Sequence, residues 1–235
     1  MKFYYAHPTP DRLVDEVVAL DRERKLDPVE RRIVVATFLG RVFAANPARV
    51  PAWLDTLADQ LLSEGARNTL QLAAYFSNTV ESREWMVRIG GKPEDQQPAP
   101  ELLVAPVREA VMLDALWAYY FATGNALAVR KVITVLGLVG DAGAALAFEG
   151  SARTALDEER ANNDTLYQAA SWSIAALTKE HPPLLAMCEQ IFEMPDMTND
   201  ERLGLAVALE RSFPERWRVE VDPATRHVRV HKLAD

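Results

Sequence analysis

Asp114 is the only charged residue in the run Val111–Ala128, VMLDALWAYYFATGNALA. A carboxylate on so apolar a helix must face water or meet a cation, because an unpaired buried charge is costly. Two roles follow. Arg130 or Lys131 on the next helix ties it down, or it faces a ligand in a pocket lined by Tyr119. Helical residues turn by about 100° each, so Trp117, Tyr120 and Phe121 suit one core face and Tyr119 lies nearly opposite Trp117. Such a helix is buried nearly all round or lines a groove with its second face. Asp114, Tyr119 and Trp117 are the candidate binding residues.

Other chemistry-bearing residues have simpler readings. Asp11/Asp15 and Asp55/Asp59 are i, i+4 pairs, the spacing a magnesium site would need. No phosphate-binding motif accompanies them, and a solvated acidic face accounts for them. His227 and His231 share a face of a predicted strand with no third metal ligand in view. His7 and His181 each precede proline, and His181 at a helix start has the placement of a general base. Cys188 lies among Leu184, Leu185, Ile191 and Phe192 at helical spacing, as core filling does. As a nucleophile it would need His181, about two turns away. A single cysteine excludes an internal disulfide and a cysteine-based zinc site. G-x-G-x-x-G, G-x-x-x-x-G-K-[ST], G-x-S-x-G and H-E-x-x-H are absent, which removes the easily read nucleotide, hydrolase and zinc-protease classes. The expectation is no catalytic residue, no metal and no cofactor.

The elements that must position these residues are helices. Thr9-Pro10 starts one with Leu13, Val14, Val17 and Leu20 on a face. Asp27-Pro28-Val29-Glu30 reads as N-cap, first-turn proline and third-position acid, followed by Ile33, Val34, Thr37, Phe38 and Val42. The next helix carries Trp53, Leu54, Leu57, Leu61 and Leu62, with Gly65 closing it, and two more run over 67–78 and 81–89. Gly90 to Pro100 is a linker rich in glycine, proline and polar residues. Helices resume at 106–121, 126–138, 141–159 and 165–178. Pro182-Pro183 opens one through Glu193, and the capping box Thr198–Glu201 opens another to Ser212. The end alternates instead. Trp217–Val221 and His227–His231 flank the turn Asp222–Thr225, a β-hairpin with Val219, Val221, Val228 and Val230 on one face.

The expected fold is all-α, about ten helices in a solenoid-like or multi-layer bundle, with a small C-terminal β-hairpin. The expected divisions are 1–89, a linker or long loop at 90–105, 106–213, and the hairpin at 214–235. The 235 residues carry a net charge of −8, which argues against sequence-independent nucleic-acid binding. Residues 211–235 hold six Lys/Arg against four Asp/Glu, so the hairpin is basic and should dock on the acidic helical body. The apolar start MKFYYA stops at His7-Pro8, too short for a secretory signal. No stretch is long enough to span a bilayer. The expected location is the cytoplasm.

The segment Ala118–Asn125, followed by Ala128, Val129 and Val132, resembles the junction inside a tetratricopeptide-type helix pair, where aromatic residues, a glycine turn and small residues on the partner helix follow one another. With Ala170-Ser171-Trp172-Ser173 it also resembles uncharacterised bacterial all-helical proteins. An irregular helix-pair architecture without a catalytic signature reads as a protein- or peptide-binding adaptor. Its acidity favours a basic partner, and an immunity-type inhibitor of a basic bacterial toxin is one version. The alternatives are an enzyme using acidic residues between the two helical halves, and a small-molecule or lipid carrier.

Overall fold

The computed structural model describes residues 3–60, 62–90, 98–99, 101–142, 154–221 and 228–233. Among them are ten α-helices and one two-stranded antiparallel sheet, an all-α fold with a small hairpin. The helices are α1 (Leu13–Arg22), α2 (Val29–Ala45), α3 (Val50–Ala58), α4 (Glu64–Ser77), α5 (Val80–Arg88), α6 (Ala110–Thr123), α7 (Ala126–Val135), α8 (Ala155–Glu180), α9 (Pro182–Phe192) and α10 (Asn199–Ser212). Strands β1 (Trp217–Val221) and β2 (Val228–Lys232) follow. Short 3-10 turns precede α1 at Tyr4–Ala6 and Pro10–Arg12, and another follows α7 at Leu136–Asp141.

Two compact units divide the chain. The first holds residues 1–106 and 114–128, the second 107–113 and 129–235. Both α6 and α7 therefore begin in one unit and end in the other.

In the first unit, α2 packs along α4 around Phe38, Leu39, Val42, Phe43, Leu70 and Ala73, all buried. Ser63 caps α4 by accepting from the Ala66 amide and is itself held by Asp21 of α1. Two details differ from the sequence reading. Asp27 does not cap α2. Its carboxylate is drawn to Arg24 at 2.8 Å, and Pro28, in extended conformation, occupies the cap position. Gly65 does not close α3, which ends at Ala58. It lies in the first turn of α4, where a Cβ would stand 2.5 Å from the Leu26 carbonyl oxygen. The glycine serves close approach, not helix termination.

The second unit is built on α8, a 26-residue helix where the sequence reading placed two separate ones. Thr154 and Asp157 form a capping box at its start. The Asn162-Asn163 pair does not interrupt it, because both side chains reach outward. Asn163 donates to Asp141 at 3.0 Å and Asn162 to the Arg108 carbonyl at 3.3 Å. The expected helix 141–159 falls largely outside the described residues. The capping box at Thr198 opens α10 as expected. The hairpin register pairs Val219 with Val230 and Val221 with Val228. Trp217, fully buried, meets Phe192 edge-on at 4.9 Å between ring centroids, and Arg216 pairs with Glu189 of α9 at 2.9 Å. Apolar burial and opposite charge both seat the basic hairpin.

Candidate functional site

Three consecutive aromatic residues at the N-terminus build one wall of the first unit. Phe3 packs edge-on against Phe121 at 5.2 Å, and Tyr4 edge-on against Phe38 at 5.5 Å. Tyr5 lies 5.4 Å from Tyr120, with the two hydroxyls 3.0 Å apart. The tip between α6 and α7 receives this segment because residue 124 is glycine. Its φ of +68° is in the left-handed region, and a Cβ there would stand 2.7 Å from the Tyr5 ring. Pro10 then starts the turn into α1. Arg49 anchors that turn through Asp11 at 2.5 Å.

Between this segment and helices α1 and α2 lies a partly open cleft of about 410 Å³. Its floor is Leu13, Val17, Phe38, Leu39 and Val42, all buried. Its rim is polar, with His7, Thr9, Arg12 and Glu16. Arg12 and Glu16 form an exposed i, i+4 ion pair at 2.7 Å, which a partner's charge can exchange at little cost. Burial pushes the Tyr4 hydroxyl above the ordinary tyrosine value. The Thr9 backbone approaches that hydroxyl without closing a hydrogen bond of normal geometry. A volume in the range of ligand pockets, an apolar floor and a mixed polar rim suit an amphipathic binding partner. A second cleft of about 470 Å³ lies in the same unit, between Leu54, Leu57, Leu70, Trp85 and Ile89, with Gln60, Arg67 and Gln71 at its edge.

The sequence-derived candidates fall elsewhere. Trp117 is 4% exposed and packs on Tyr120 and Phe121. Tyr119 is half-buried, with the Arg41 guanidinium 5.2 Å from its ring centroid. Asp114 is exposed, yet partial desolvation on α6 pushes its carboxyl above the ordinary carboxylate range. None of the three lines either cleft. Of the two cations expected to answer Asp114, Arg130 is engaged within the second unit. Arg130 forms a two-pronged bond to Glu201, both contacts 3.1 Å, with Asp196 at 3.9 Å.

Several of the remaining titratable candidates have structural partners. Asp11 pairs with Arg49, and Asp55 with Arg88 at 2.5 Å. Among the described residues no group of three or more His, Cys, Asp or Glu is placed to hold a metal ion. His227 lies outside the described residues, and His231 stands 3.5 Å from Glu220. His181 is the residue before α9, and burial lowers its pKa. Cys188 is buried, and burial with the adjacent Glu189 pushes its thiol up to about 12. The sequence reading missed the cleft because the partners of Phe3, Tyr4 and Tyr5 lie 34 to 119 positions away. Its one local trace is the aromatic triplet ahead of Pro8 and Pro10.

Among the described residues no single helix is long and apolar enough to cross a membrane. No protein-family model, curated protein or solved structure matches the chain.

Proposed function

We propose that this chain is a non-catalytic binding protein whose first-unit cleft seats an apolar side chain of a basic peptide or protein segment. The observation that carries the reading is the cleft itself, with a buried aliphatic and aromatic floor beneath a rim of exchangeable polar groups. The net charge of −8 supports a basic partner through long-range attraction. An inhibitor that masks a basic toxin would be one member of this class. Of the acids the enzyme reading would use, Asp114 and the pairs Asp11/Asp15 and Asp55/Asp59, none lines either of these two clefts.

The test is affinity capture from source-cell lysate at low and high salt, using the wild-type chain beside Thr9→Trp, which fills the rim, and Glu16→Lys, which reverses its acid. A stoichiometric partner that is weakened by salt and lost with both variants supports the reading. A partner indifferent to both variants contradicts it.

A further inference from the structure

Trp172 is 69% exposed, the largest apolar side chain left to solvent among the described residues. It lies on α8, whose 26 residues extend about 39 Å at 1.5 Å per residue. Along the same face run Glu158, Asn162, Thr165, Ala169, Trp172, Ala176 and Lys179, each exposed or half-exposed. Their steps of four and three are the 3.5-residue repeat that keeps a helix seam facing a partner helix. Buried residues of α8, such as Leu166, Ala170, Ile174 and Leu177, fall on its other side.

We propose that this face joins two copies of the chain, α8 against α8, antiparallel across a twofold axis. The seam is self-complementary in that arrangement, as a twofold interface requires. Antiparallel layering sets Trp172 over Ala169 of the second copy and Ala176 over its Thr165. Lys179 then lies beside Asn162 of the second copy, with Glu158 one turn further on. Large meets small, and each Lys179 stands one turn from the second copy's Glu158, within reach of the two long side chains, twice over. A parallel pair would instead stack Trp172 on Trp172, set Lys179 against Lys179, and align the two helix macrodipoles. No ion pair to Glu158 or Lys179 is present among the described residues, so both charges are available. One helix pair buries less than the surface of a standard stable interface, so association is weak.

The test is sedimentation velocity of the full chain across a micromolar concentration series. The wild type should move from the mass of one chain to that of two. Trp172→Glu should stay monomeric throughout. Lys179→Glu should weaken the dimer, and adding Glu158→Lys should restore it, because the swapped charges meet again across the axis. Circular dichroism establishes that each variant keeps its helicity. If Trp172→Glu loses helicity, the charge-swap pair decides. A monomeric wild type, a dimer indifferent to a folded Trp172→Glu, or a double swap that fails to restore association would each overturn the proposal.

Discussion

The hydroxyls of Tyr5 and Tyr120 lie 3.0 Å apart, joining the N-terminal segment to α6 across 115 positions of sequence. This contact, with the Tyr5 ring on Gly124, fixes the segment that walls the first-unit cleft. The shape of the cleft thus depends on residues outside it.

Gly124→Ala forces a side chain into the left-handed region and against Tyr5. The expected loss is about 1–3 kcal/mol, read from denaturant melts. Limited proteolysis should also cut ahead of α1 faster than in the wild type. Unchanged stability and unchanged proteolysis would mean that the N-terminal segment does not dock on this turn.

Glu201 closes the α10 capping box and answers Arg130, both side chains being largely shielded from water. Glu201→Ala leaves Arg130 with only the exposed Asp196 at 3.9 Å and should cost up to about 3–5 kcal/mol. Thr198→Ala removes only a cap and should cost about 1 kcal/mol. Equal losses for the two variants would contradict the ion pair's weight.

Cys188 should resist alkylation in the native chain at neutral pH and react once unfolded, because its thiol is raised to about 12. The raised value also sets the sign of a pH effect. Between the ordinary thiol value and about 12, only the unfolded chain gives up the proton, so this group's contribution to stability falls as pH rises through that window. Rapid native alkylation would contradict the buried placement.

Asp141 is held below the ordinary carboxylate value, chiefly by the Asn163 side chain and then by Arg160. Its contribution is present above the ordinary value and lost as pH falls through the lowered one. In Asn163→Ala the Asp141 titration, followed by NMR, should move upward. A titration that does not move would show that the Asn163 bond is absent in solution.

Asp114 has the opposite sign. Desolvation raises its carboxyl, so the charged form costs stability at neutral pH. Asp114→Asn should raise the neutral-pH melting temperature. A fall would reveal a cation that answers the carboxylate.

Local chemistry made much of the fold legible. The capping box at Thr198, the proline start of α9 and the alternation of β1 and β2 each act within a few residues, so spacing alone finds them. The continuity of α8 was not legible, because Asn162 and Asn163 look like a break until Arg108 and Asp141 supply their partners. Gly65 looked like a stop because the Leu26 carbonyl that demands it is distant in sequence. The aromatic face of α6 was readable, but its partners were not. Trp117 is core, while the cleft forms where Phe3–Tyr5 reach α2 and α6.

The most direct measurement is an NMR titration of the ¹⁵N-labelled chain with an amphipathic Lys/Leu peptide, run beside Thr9→Trp. The cleft account predicts amide shifts concentrated at Thr9, Glu16, Leu39 and Val42 that vanish in the variant. Shifts spread over the acidic surface, or shifts that survive the blocked rim, would contradict it.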